Sequence, residues 1–190
     1  MAGVLRQTPT VWALAFISDE SEQKLRTFFA QTCGIKPRLI VRDMHTTVYH
    51  ARRPMPSLVC GVEPITFSVP GSELRMMAMA PGGENPRSDI NPLARSIGLR
   101  IRRLNGAAES LLNLRRRMLE HETQAVLGRR SPSTDRASAF GARHYQPHIT
   151  ALRPGAVADP DLSKLGKLVR EHIDSIEFDR LVVRFTPSQS

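Results

Sequence analysis

Apolar residues recur along this chain with two periods, and the period assigns the elements. Thr10 to Ser18 (TVWALAFIS) is an unbroken apolar run between Pro9 and a polar stretch, which suits a buried strand. A helix should follow. Asp19 is placed to cap it, Glu22 falls at its third position, and Leu25, Phe28, Phe29 and Cys33 recur at helical spacing until Gly34 stops the run. Arg38 to Ala51 (RLIVRDMHTTVYHA) is rich in β-branched residues, lacks Gly and Pro, and reads as a second strand. Regular alternation would put Val41, Asp43, His45, Thr47 and Tyr49 on one face, with Ile40, Met44, Val48 and His50 on the other.

Further strands are expected at Ile65 to Val69 and Glu73 to Ala80, joined by a turn at Pro70 and Gly71. Residues 81–91 have loop composition, and Ser96 to Arg103 (SIGLRIRR) alternates apolar residues with arginine as a half-exposed strand would. From Ala107 to about Val126 a helix is expected, with Ala108, Leu111, Leu112, Met118, Leu119 and Ala125 on its apolar face and Arg115, Arg116 and Arg117 across its exposed side. Gly128 to Gly141 again has loop composition, with an excess of arginine. Gln146 to Arg153 reads as a strand ended by Pro154 and Gly155. Leu162, Leu165, Leu168, Val169 and Ile173 then mark a last amphipathic helix, and Phe178 to Phe185 a closing strand. No long-period repeat occurs, yet each half of the chain carries one histidine-bearing strand.

Composition narrows the class. At 190 residues the chain fits one domain, or one two-lobed unit. A hydrophobic share of 41% with 24% charged residues excludes wholesale disorder. Lys+Arg is 27 against 18 for Asp+Glu, a formal charge of +9 that favours a polyanionic ligand but serves solubility equally well. Cys33 and Cys60 have no C-x-x-C or zinc-ligand spacing and are expected as buried free thiols. The run Val11 to Ile17 is too short to span a membrane and has no cleavage pattern behind it, so a cytoplasmic monomer without a protein partner is expected.

Two of the six histidines share one local pattern: His45-Thr46-Thr47-Val48 and His148-Ile149-Thr150-Ala151. On a strand, the His and Thr of each H-x-T share a face, so both can address one ligand. Cleaving a phosphodiester needs a base to activate water or a ribose hydroxyl and an acid to protonate the departing oxygen. Imidazole, with an unperturbed pKa of about 6.5, serves both roles. Threonine hydroxyls can donate to the non-bridging oxygens and stabilise charge that grows in the transition state, and no metal or other cofactor is then required.

These paired motifs, the Y-x-P-H-I-T-x-L-R run from Tyr145 to Arg153, and the strand-helix start resemble the 2H phosphoesterase superfamily. That group includes RNA 2′,5′ ligase-like proteins, cyclic phosphodiesterases and nucleases acting on cyclic oligonucleotides. The resemblance follows the element order over most of the chain; its specific residues are confined to the motifs and their flanks. It implies an α+β, bilobal fold in which two antiparallel sheets form a central cleft with helices outside. It also implies His45 and His148 as the acid/base pair, Thr47 and Thr150 as phosphate donors, and Arg153 as a candidate phosphate contact. Thr46 departs from the pattern, which usually has an apolar residue there. The expected substrate is a nucleotide or oligonucleotide phosphodiester, either a 2′,3′-cyclic phosphate or a cyclic oligonucleotide. A nucleotide-binding or RNA-end-binding role without catalysis, and RNA 2′,5′ ligation, are the alternatives.

Other arrangements fit less well. His144 and His148 have a zinc-binding spacing only on a helix, which Pro147 between them opposes, and no Glu follows His144. The alternating histidines of histidine-triad nucleotide hydrolases are missing after His148. Tyr49 and Tyr145 flank the motifs as candidates for stacking on a base or binding phosphate, with packing against the cleft wall as the alternative. Arg143, with Arg129, Arg130 and Arg136, forms a candidate cationic lid.

Overall fold

The computed structural model describes residues 10–51, 57–79, 95–127, 145–157 and 161–186. Arg143, His144 and the loop-like segments 81–91 and 128–142, with the candidate lid, lie outside the described residues. The fold is α+β. Among the described residues seven strands, β1 (Thr10–Ile17), β2 (His45–Ala51), β3 (Gly61–Pro70), β4 (Leu74–Ala78), β5 (Ile97–Ile101), β6 (His148–Leu152) and β7 (Ser175–Thr186), combine with three α-helices, α1 (Asp19–Thr27), α2 (Glu109–Leu127) and α3 (Leu162–His172). Among the described residues no helix is long and apolar enough to cross a membrane.

Where two sheets were expected, the described strands form one antiparallel sheet in the order β3-β7-β1-β2-β6-β5-β4. Its two parts, β3-β7-β1-β2 and β6-β5-β4, meet at a narrow seam where β2 and β6 share the single register pair Thr46 and Ile149. The edge strands β3 and β4 are consecutive in sequence, linked only by a turn of 3-10 helix, Gly71–Glu73. In a flat sheet, strands spaced about 4.8 Å apart would put those edges about 29 Å from each other. Four peptide steps from Pro70 to Leu74 reach at most about 15 Å, so the sheet is rolled until its edges approach at this end.

One apolar cluster gathers Val11, Ala13, Ala15 and Ile17 of β1 with Val48, Tyr49, Leu99, Leu111 and Val169, so α2 and α3 lie on the face that these odd-numbered β1 residues present. Leu14 is also buried, at 1% exposure, but stands outside that cluster and points to the other face. The α1 N-cap is Ser18, whose side chain accepts the Ser21 N–H, so Asp19 is the first helical residue rather than the cap. Glu22 makes no capping box; its Oε2 accepts the Met44 N–H at 2.8 Å, tying α1 to the start of β2.

The second strand begins later than alternation suggests. Pro37–Leu39 form a 3-10 turn, and Asp43 adopts φ 54, a left-handed conformation that aspartate tolerates, so β2 starts only at His45. Arg115 leaves the exposed face assigned to it and is buried at 5% exposure, whereas Arg117 ion-pairs with Glu63 of β3 at 2.8 Å. Cys33 is half-buried and Cys60 is exposed, against the expectation that both are buried.

Candidate active site

The four motif residues meet at the seam. Thr46 lies opposite Ile149, and continuing an antiparallel register by one residue each way sets His45 opposite Thr150 and Thr47 opposite His148. Thr46 and Ile149 are 1% and 0% exposed and point into the core, so His45, Thr47, His148 and Thr150, all half-buried, share the opposite face. Directly opposed residues stand about 4.5–5.5 Å apart and diagonal ones about 7–8 Å. The two imidazoles occupy one diagonal of this square and the two threonines the other, related by a local two-fold axis.

Both rings are anchored in the same way. His45 Nδ1 lies 2.7 Å from the Asp43 carbonyl oxygen, and His148 Nδ1 lies 2.8 Å from that of Gln146. A carbonyl can only accept, so Nδ1 carries the proton and donates in each ring, leaving Nε2 as the free position of the neutral tautomer. The two i−2 carbonyls are presented by different devices. Asp43 does it through its left-handed backbone; Gln146 is kept extended by the proline that follows it. The Phe16 ring packs on His45 with centroids 5.0 Å apart, and the Arg180 guanidinium lies 5.1 Å from the Phe16 centroid.

Strand β2 carries a bulge. Its register with β1 shifts between Ala13, opposite Tyr49, and Leu14, opposite Thr47, which leaves Val48 as the extra residue. Beyond the bulge the faces exchange, and two expectations fail. Tyr49 does not flank the site; it is 0% exposed and lies in the core. His50, expected on the face opposite His45, comes onto the site face and packs on Trp12 with ring centroids 3.9 Å apart.

Tyr145 packs against the wall of the site, the alternative weighed for both tyrosines. It sits behind the seam, where burial pushes its phenol up to about 12 against the smaller lowering effects of the nearby Thr46 hydroxyl and the charge of Arg115. Arg115 fills the space between the two tyrosines, its guanidinium 5.8 Å from the Tyr49 ring centroid and 4.5 Å from that of Tyr145. Its Nη1 donates to the carbonyl of the bulged Val48 at 2.8 Å. Both rings come from the motif strands or their immediate flank, so one buried cation from α2 braces the site from behind. The Thr46 hydroxyl is buried on this side with no hydrogen-bond partner among the described residues.

Arg153 is exposed, past the end of β6; its backbone N–H donates to the Leu39 carbonyl at 2.8 Å, and among the described residues no contact ties its side chain to the site. The arginine directly beside the motif on the site face is Arg100, opposite His148 in the β5–β6 register. The arginine alternation of Ser96 to Arg103 carried that signal; which strand it would neighbour was not legible. Trp12 and Phe16 were hidden inside a run read only as core. No protein-family model matches the chain, and no curated protein matches it in sequence.

Proposed function

We propose that this chain is a metal-independent phosphodiesterase of the two-histidine type, hydrolysing a nucleotide or oligonucleotide phosphodiester. The observation that carries the reading is the antiparallel square of His45, Thr47, His148 and Thr150 with both Nδ1 atoms spent on backbone carbonyls. A phosphoryl group seated over the square has one Nε2 on each side of it. The neutral imidazole takes a proton from water, or from a ribose hydroxyl, as the oxygen attacks phosphorus; the other, protonated, gives its proton to the oxygen whose bond to phosphorus breaks. Thr47 and Thr150 donate to the non-bridging oxygens, where negative charge accumulates. The narrow β2–β6 seam supports a two-lobed arrangement of the 2H kind, with one H-x-T strand from each part of the sheet.

The test is product analysis by mass spectrometry after incubation, in EDTA, with 2′,3′-cyclic mononucleotides, cyclic oligonucleotides and phosphorylated RNA ends. Hydrolysis of at least one class that persists in chelator is expected. Tight binding with no product from any of them would overturn the catalytic reading.

A further inference from the structure

The register sets side chains in rows across the site face. One row runs Arg180, Phe16, His45, Thr150, Gly98, and the next runs Val182, Leu14, Thr47, His148, Arg100. Between Arg180 at its far end and the motif residues, the first row is apolar. Phe16 packs on His45, and at Gly98 the Met79 sulfur lies 2.8 Å from where a Cβ would stand, so methionine covers the sheet beside Thr150. The second row passes from His148 to the half-buried Arg100 and on to Arg75 of β4 opposite it.

Neighbouring arginines are engaged elsewhere. Arg75 Nη1 donates to the Ser72 and Leu74 carbonyls at 2.7 Å each, Arg102 lies 3.8 Å from Glu73, and Arg180 lies 3.1 Å from Asp179. No carboxylate among the described residues pairs with Arg100. A half-buried cation loses hydration that only an anion or strong acceptors restore, and a guanidinium fork matches two phosphate oxygens.

Resting on the two-histidine reading, which seats the scissile phosphorus over the square, we propose that Arg100 forms a second phosphate subsite one strand further out. The substrate is then a nucleotide chain with a phosphate flanking the scissile one, rather than a nucleoside cyclic monophosphate. The subsite lies about 4.5–5.5 Å from the His148 position, the spacing of directly opposed residues. The Phe16 and Met79 side remains for a base.

The experiment is a calorimetric titration of adenosine 3′-monophosphate and adenosine 3′,5′-bisphosphate into wild type, Arg100→Met and Arg100→Lys at fixed ionic strength. Wild type should bind the bisphosphate at least about tenfold more tightly, Arg100→Met should bring that ratio to within about twofold with the monophosphate affinity little changed, and Arg100→Lys should fall between. Equal affinities in wild type, binding of neither nucleotide, or a tenfold ratio surviving in Arg100→Met would each overturn the subsite. Turnover is not needed for this titration. A chain that hydrolyses nothing but keeps the Arg100-dependent ratio loses the catalytic reading alone, and one that hydrolyses phosphodiesters without the ratio loses the subsite alone.

Discussion

Arg115→Met removes a cation buried behind the site, while keeping an apolar stem of similar length. The charge-assisted bond to the Val48 carbonyl contributes about 1.5–3 kcal/mol, and each ring contact about 0.5–2 kcal/mol. Against these stands the desolvation of the guanidinium, several kcal/mol, which the methionine no longer incurs. The Val48 carbonyl then loses this donor, at about 1–3 kcal/mol. The lost contacts and the relieved desolvation are of similar size and offset, so the net loss is that of the carbonyl, about 1–3 kcal/mol. Urea unfolding should show it as a lower midpoint at unchanged slope. The functional effect should be disproportionate, because the bulge that Arg115 holds fixes where Thr47 lies relative to His148. A displacement of about 1 Å there costs up to about a hundredfold in rate, so kcat should fall at least tenfold with KM little altered. Arg115→Lys, which keeps charge but not the planar fork, should lie between. An unchanged midpoint together with an unchanged kcat would refute the bracing role.

Two further outcomes follow from buried groups. The chain has two tyrosines, so Tyr49→Phe leaves the phenolate absorbance to Tyr145, which should ionise near 12 instead of 10; because the folded pKa is raised, stability should hold below pH 10 and be lost between 10 and 12, and a phenolate appearing near 10 with circular dichroism intact would contradict its burial. At Gly71 a Cβ would stand 1.6 Å from the Ile173 carbonyl oxygen, so Gly71→Ala should lower stability by about 2–3 kcal/mol, the upper range for overpacking, and a loss below about 0.5 kcal/mol would show that the β3–β4 turn does not press on the end of α3.

Local pattern carried the elements better than their neighbours. The apolar run of β1, the helical spacing after Ser18 and the amphipathic stretch of α3 encode their own structure, and each formed close to the expected bounds. The shared face of His and Thr within each H-x-T was also legible, because alternation over three residues survives any later irregularity. The rest depends on distant partners. The bulge at Val48 is held by an arginine 67 residues away, so Tyr49 and His50 could not be assigned their faces from β2 alone. Nor could the arginine beside His148 be chosen, since Arg153 follows it in sequence while Arg100 reaches it only through the β5–β6 pairing. A single sheet instead of two is likewise a property of the seam, where one residue pair joins what each half builds separately.

The central claim is that two imidazoles share one acid/base task. Rates measured for wild type, His45→Ala, His148→Ala and the double variant, in EDTA and on whichever phosphodiester yields product, test it most directly. Each single replacement should lower kcat by about 10²–10⁴ with circular dichroism unchanged. The double variant should be little worse than the poorer single one, because groups acting as a unit are not additive. Turnover near that of wild type in both single variants would contradict the account.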